Sequence, residues 1–151
     1  MIEKIIKFLQ QFVKQIEVPE LLPIGAKRIK YASLMGLLKE RCPNAQIFLS
    51  DKDYLLCNKE DIVSFLIRDK TNKTEFVPNE YDCDDFSYRL MGQMSIPKWS
   101  DLAFGIVWTD KHALNCYIGE DKVFKFIEPQ TDTIQSGLQE WQGSEIRLII
   151  I

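Results

Sequence analysis

The sequence predicts an α+β fold in which helices pack on an antiparallel sheet. Three observations predict it. The helical apolar patterns fall early in the chain, the strand-like alternations fall late, and one amphipathic helix marks the junction. The 151 residues suffice for one real core and are too few for two comfortable ones. The expectation is therefore one domain over residues 1–151.

The elements follow in order. Residues 2–16 place Ile2, Ile5, Ile6, Leu9, Phe12, Val13 and Ile16 at helical spacing, with Lys and Gln opposite. Pro19 and Pro23 break this pattern, and a shorter helix covers about 30–40, stopping before Pro43. Residues 45–49 read as a strand and 51–53 as a turn; 54–57 is ambiguous. Asn58 is a suitable N-cap for a helix from about 59 to 69, with Glu60 and Asp61 where the helix dipole favours them. Residues 70–80 are polar, contain Pro78 and read as a loop. From 82 to 94, Cys83, Phe86, Ser87, Leu90 and Met94 share one face, and Pro97 closes the helix. Strands are expected at 103–109, 112–118, 122–127 and 145–150.

Composition narrows the function. The hydrophobic share is 46% and the charged share 27%, ordinary for a globular chain. A net charge of −3 argues against a nucleic-acid-binding surface. No apolar run reaches the length of a membrane-spanning helix. The charged N-terminus does not read as a signal peptide. Cys42, Cys57, Cys83 and Cys116 are scattered with no C-x-x-C pair, which implies reduced thiols in a cytoplasmic protein and argues against a cysteine-pair zinc site. The chain has a single histidine, so any imidazole chemistry occurs at His112.

Two alternating stretches flank Gly119-Glu120-Asp121, a hairpin signal. Matching apolar faces sets Ile118 opposite Lys122, Cys116 opposite Phe124 and Leu114 opposite Phe126. Tyr117–Val123 and Ala113–Ile127 then pair on the other face, and His112 falls opposite Glu128. Directly opposed side chains have Cβ atoms about 4.5–5.5 Å apart, so a His112–Glu128 hydrogen bond is expected. An imidazole held by a carboxylate is the general-base half of a cysteine or serine triad. A structural His–Glu pair is the alternative.

Cys83 stands at the start of the junction helix, where the dipole and unpaired N–H groups favour a thiolate and can receive an oxyanion. Asp82, Asp84 and Asp85 oppose a thiolate, so they must point away, be neutralised or hold a cation. Asp85 can pair with Arg89 one turn later. The alternative for Cys83 is a small buried hydrophobe, which is how Cys42, Cys57 and Cys116 read.

The strings Cys83-Asp84-Asp85-Phe86, His112-Ala113-Leu114-Asn115 and Glu128-Pro129-Gln130-Thr131 resemble, in order and spacing, the papain-like and transglutaminase-like cysteine enzymes. The resemblance is nearest to the papain-like protease domain of a fungal agglutinin and small bacterial or phage relatives, and covers about residues 81–131. It implies a papain-like α+β fold and a triad of Cys83 as nucleophile, His112 as base and Glu128 as orienting carboxylate. It further implies calcium or manganese dependence, with Asp85 and Gln130 as metal ligands. A bound dication would reverse the local electrostatics around the thiolate. The implied activity is a cysteine hydrolase, peptidase or amidase, or a transamidase, acting on a peptide-like amide through a Cys83 thioester. The lectin module of the fungal protein has no counterpart in this chain, and its sugar binding is not carried over.

Two other readings stay open. One is a catalytically inactive binding or inhibitor module on the same fold. The other is a metal-stabilised structural domain in which the aspartates matter and the thiol does not.

Overall fold

The computed structural model describes residues 22–151; the helix expected over 2–16 lies outside them. The chain begins with a short strand β1 (Arg28–Lys30), helix α1 (Tyr31–Arg41) and strands β2 (Gln46–Phe48) and β3 (Asp53–Leu55). Helix α2 (Lys59–Arg68), a 3₁₀ turn at Thr71–Lys73 and helix α3 (Cys83–Met94) follow. Strands β4 (Phe104–Thr109), β5 (Ala113–Ile118), β6 (Phe124–Glu128) and β7 (Thr133–Gln135) lead to a 3₁₀ turn at Glu140–Gln142 and the last strand β8 (Ile146–Ile150). The fold is thus mixed helix and sheet, with three α-helices among the described residues.

Local chemistry explains the helix ends. The Asn58 side chain accepts from the Glu60 N–H at 2.8 Å, the expected N-cap of α2. Asp61 does more than favour the dipole. It is buried, and its carboxylate accepts the backbone N–H groups of Ile24 and Gly25 at 2.9 Å, pinning the incoming chain to α2.

The large sheet has the order β2-β8-β4-β5-β6-β7, and β1 pairs with β3 in a separate two-stranded ribbon. The expected antiparallel sheet is corrected at one edge, where β2 runs parallel to β8. The reason is connectivity: α2, α3 and five strands intervene between them, a crossover of the kind that parallel pairing needs. Neither β1 nor β7 was expected, since each has only three residues and too little alternation to register.

Both faces of the sheet are covered. Leu114, Cys116, Ile118, Phe124 and Phe126 pack with Leu34 and Leu38 of α1, while Tyr117 and Ile127 pack with Ile62 and Phe65 of α2 and Leu90 and Met94 of α3. Strand alternation sends successive residues to the two layers, so β5 is buried along its whole length. One close approach requires glycine. A Cβ on Gly105 would sit 1.8 Å from the Ile150 carbonyl oxygen of the neighbouring strand.

The hairpin register differs from the expected one by two residues. Ile118 pairs with Phe124, Cys116 with Phe126, Tyr117 with Lys125 and Asn115 with Ile127. The loop is Glu120-Asp121-Lys122, one position later than expected: the Gly119 N–H donates to the Val123 carbonyl at 3.0 Å. Lys122 takes the left-handed conformation, φ 61°, as the last residue of a three-residue hairpin loop does. A Cβ on Gly119 would meet Asp121 Oδ1 at 2.3 Å, so a larger residue there requires the Asp121 side chain to turn away. A shift of two preserves which residues share a face, so the apolar stripes survive the change of register.

Candidate functional site

The His112–Glu128 pair forms. His112 Nε2 donates to Glu128 Oε2 at 2.8 Å, and both side chains are buried. In the observed register the two are diagonal rather than directly opposed. Their partnership survives because diagonal neighbours remain within reach of long side chains.

Three further residues complete the network. Gln142, fully buried, donates from Nε2 to the same Glu128 oxygen at 2.9 Å. Its Oε1 accepts from the Gln139 N–H at 2.9 Å and from Gln135 Nε2. Gln130 approaches Glu128 Oε1 from its backbone N–H at 3.4 Å and from its side-chain amide at 3.5 Å. Trp141 lays its indole edge-on against the imidazole, ring centroids 4.8 Å apart, and is itself 59% exposed. Glu128, Gln130, Thr131, Thr133, Ile134, Gln135, Gln139 and Trp141 line an open cleft of about 590 Å³.

Trp141 and Gln142 were not foreseen. The only sequence signal was a tryptophan in the otherwise polar stretch Gln139-Glu140-Trp141-Gln142. Their partners lie 14 and 29 positions away (142 minus 128; 141 minus 112), beyond any local pattern.

Cys83 opens α3 as expected and is half-buried. Its thiol pKa is pushed up, first by burial and then by the charges of Asp82 and Asp84, against the opposing pull of the Ala113 and Asp84 backbone N–H groups. Among the described residues no hydrogen bond joins Cys83 to His112. Burial and the two carboxylates thus oppose the thiolate that a helix N-terminus favours. The other cysteines are buried, as expected. Burial also raises Cys42, and burial raises Cys57 and Cys116 strongly.

Asp85 and Gln130, the implied metal ligands, each have a hydrogen-bond partner of their own. Asp85 Oδ2 accepts the Asp82 backbone N–H at 3.1 Å, a cap of its own helix, while Gln130 turns its amide to Glu128. Asp82, Cys83 and Asp84 converge, their ligand atoms within 4.8 Å of one another. There the Asp84 carboxyl is pushed up, chiefly by its hydrogen bond with Asp82 and then by burial. The neighbouring Asp82 thus favours the protonated form of Asp84. The expected Asp85–Arg89 pair is absent among the described residues; Arg89 donates instead to Thr74 Oγ1 at 2.6 Å.

No family model and no curated protein sequence matches the chain. Solved structures do. One, described as the PSL1a–E64 complex, has a TM-score of 0.71 at 20% identity, over 82% of this chain and 50% of that one. Another, a Polyporus squamosus lectin bound to a human-type influenza-binding epitope, has a TM-score of 0.66 at 19% identity, over 82% and 49%. The chain spans about half the length of these structures, and the likeness shows a shared fold.

At 19–20% identity these likenesses show the fold alone; one of the two structures is described as a lectin bound to a glycan epitope, which stands against the expectation of a papain-like or transglutaminase-like cysteine enzyme. The hydrolase, peptidase, amidase and transamidase readings, with the Cys83 thioester, lose the support they drew from that resemblance. Among the described residues no helix is long and apolar enough to cross a membrane.

Proposed function

We propose that this chain is a binding module whose site is the cleft beside Glu128 and Trp141, and that its ligand is a saccharide. The observation that carries this reading is the cleft itself. An indole 59% exposed stands at the margin of about 590 Å³ of open space. Around it are the amides of Gln130, Gln135 and Gln139 and the hydroxyls of Thr131 and Thr133. A sugar ring offers apolar C–H faces and a rim of hydroxyls. A tryptophan presents a large rigid apolar surface at low entropic cost, and amides both donate to and accept from hydroxyls. The description of one matching structure as a lectin bound to a glycan epitope supports the same class.

On this reading the buried network has a positioning role. Glu128 accepts from His112 and Gln142, which fixes the imidazole and so the floor on which Trp141 rests. Bound groups are recognised best by side chains whose own positions are already fixed. Cys83 takes no part. The four free thiols support a cytoplasmic setting, which we propose alongside.

Titration with a panel of neutral and sialylated oligosaccharides, followed by isothermal calorimetry and amide chemical shifts, tests the proposal. At least one sugar should bind. Trp141→Ala should weaken it at least tenfold, and Cys83→Ala should leave it within twofold. Absence of binding at millimolar sugar, or binding indifferent to Trp141→Ala, would refute the assignment.

A further inference from the structure

We propose that Asp132, Asn72 and Thr71, backed by Asp69, form a binding site for a hard divalent cation of the calcium class. The site joins the 3₁₀ turn at Thr71–Lys73 to the turn between β6 and β7. Asn72 Nδ2 donates to Asp132 Oδ2 at 2.6 Å across sixty positions of sequence. Asp69 Oδ2 accepts the Thr71 N–H at 2.8 Å. Three oxygens on these residues are buried without a hydrogen-bond partner: Thr71 Oγ1, Asn72 Oδ1 and Asp132 Oδ1. Thr71 is wholly buried.

Buried polar atoms are ordinarily paired, and an orphaned set signals a missing ion or water. The composition of this set selects between the two. An amide carbonyl and a carboxylate carry no proton, so neither can satisfy the other. Asp132 is also under electrostatic pressure. The like charge of Asp69 lies near it, with Lys73 opposing. A divalent cation answers both the missing partners and the excess negative charge, whereas water answers only the first. The donors are all oxygen, drawn from carboxylate, carbonyl and hydroxyl groups. That is the ligand mixture of calcium, with water completing the shell, and it lacks the nitrogen and sulfur that zinc prefers.

The site would steady the cleft without entering it. Asp132 lies two residues after Gln130 and one before Thr133, both cleft residues. A cation held between this turn and Thr71–Asn72 would tie the cleft margin to the segment preceding α3. These residues are not Asp85 and Gln130, the pair implied by the family resemblance, and variants separate the two.

The test uses the full chain freed of metal with a chelator and titrated with calcium chloride. Calorimetry should show one site with Kd on the order of 10⁻⁴ M, as for oxygen sites with few charged ligands, and the melting temperature should rise on saturation. Asp132→Asn and Asn72→Ala should each weaken binding at least tenfold and abolish the rise, with the metal-free circular dichroism spectrum confirming a folded chain. Asp85→Asn should bind within twofold of the parent. No heat and no stabilisation at millimolar calcium would mean that the orphaned oxygens hold water, and would overturn the proposal. So would binding lost in Asp85→Asn yet kept in both Asp132→Asn and Asn72→Ala. Neither result depends on sugar binding.

Discussion

Removing the Gln142 amide should be among the most damaging single changes around the cleft. Gln142 is fully buried and its side chain serves three neighbours at once, Glu128, Gln139 and Gln135. Its Nε2 donates to Glu128 Oε2 at 2.9 Å, and its Oε1 accepts from the Gln139 N–H at 2.9 Å. In Gln142→Ala the buried carboxylate loses a donor, at about 1.5–3 kcal/mol for a hydrogen bond to a charged group. The orphaned Gln139 N–H adds about 1 kcal/mol. The sum is about 2–4 kcal/mol. At roughly 2–4 °C per kcal/mol for a chain of this size, the melting temperature should fall by roughly 4–16 °C. Urea unfolding should show a lower midpoint with an unchanged slope. Gln142→Glu sharpens the test by placing a second carboxylate against Glu128. Like charges so close cannot both ionise without cost, so this variant should regain stability as pH falls toward the carboxylate range, whereas Gln142→Ala should not. A loss below about 0.5 kcal/mol in Gln142→Ala, the level of an ordinary surface change, would show that the amide is not holding Glu128.

Other expectations follow from single contacts. Gly105→Ala should fail to give folded protein or lose more than about 4 kcal/mol, since its Cβ would lie 1.8 Å from a backbone oxygen that cannot turn aside; soluble yield and urea unfolding read it out. Iodoacetamide should label Cys83 no faster than a small free thiol at neutral pH, because burial and the adjacent aspartates hold its thiol up, and His112→Ala should not slow it; labelling tenfold faster than the free thiol would contradict this. Asp84, whose carboxyl is raised above 3.8 by Asp82 and burial, favours the folded state in its protonated form. Its contribution is present below the unfolded value and is lost as pH rises through the folded one. Asp84→Asn should flatten that part of the melting-temperature profile, measured upward from about pH 4, and a profile identical to the parent's would refute the raised Asp84 carboxyl.

How much could be seen beforehand depended on the range of the interaction. The helices at 31–41, 59–68 and 83–94 were legible because apolar spacing, an Asn58 cap and prolines at 43 and 97 act within one or two turns. Strands β4, β5, β6 and β8 were legible because alternation on a buried sheet is a period-two signal. The His112–Glu128 pair was legible through face matching, although the reasoning gave the wrong register. A shift of two leaves the faces unchanged, so apolar patterning alone cannot distinguish the two registers. The turn decided between them, through the left-handed Lys122 and the approach of Asp121 to Gly119.

By itself the sequence determined the mixed helix-and-sheet class, the buried strands and the identity of one buried hydrogen-bonded pair, because each follows from local periodicity or from a residue type present once. The tertiary structure alone decided that β2 runs parallel to β8, since a three-residue edge strand carries no record of its distant partner. It alone decided that Gln142 and Trp141 close around His112. It also fixed the surroundings of Cys83. A helix N-terminus, three flanking aspartates and partial burial all act on one thiol. Their sum depends on which charges face the sulfur and how much water is lost, quantities fixed by packing rather than by sequence order.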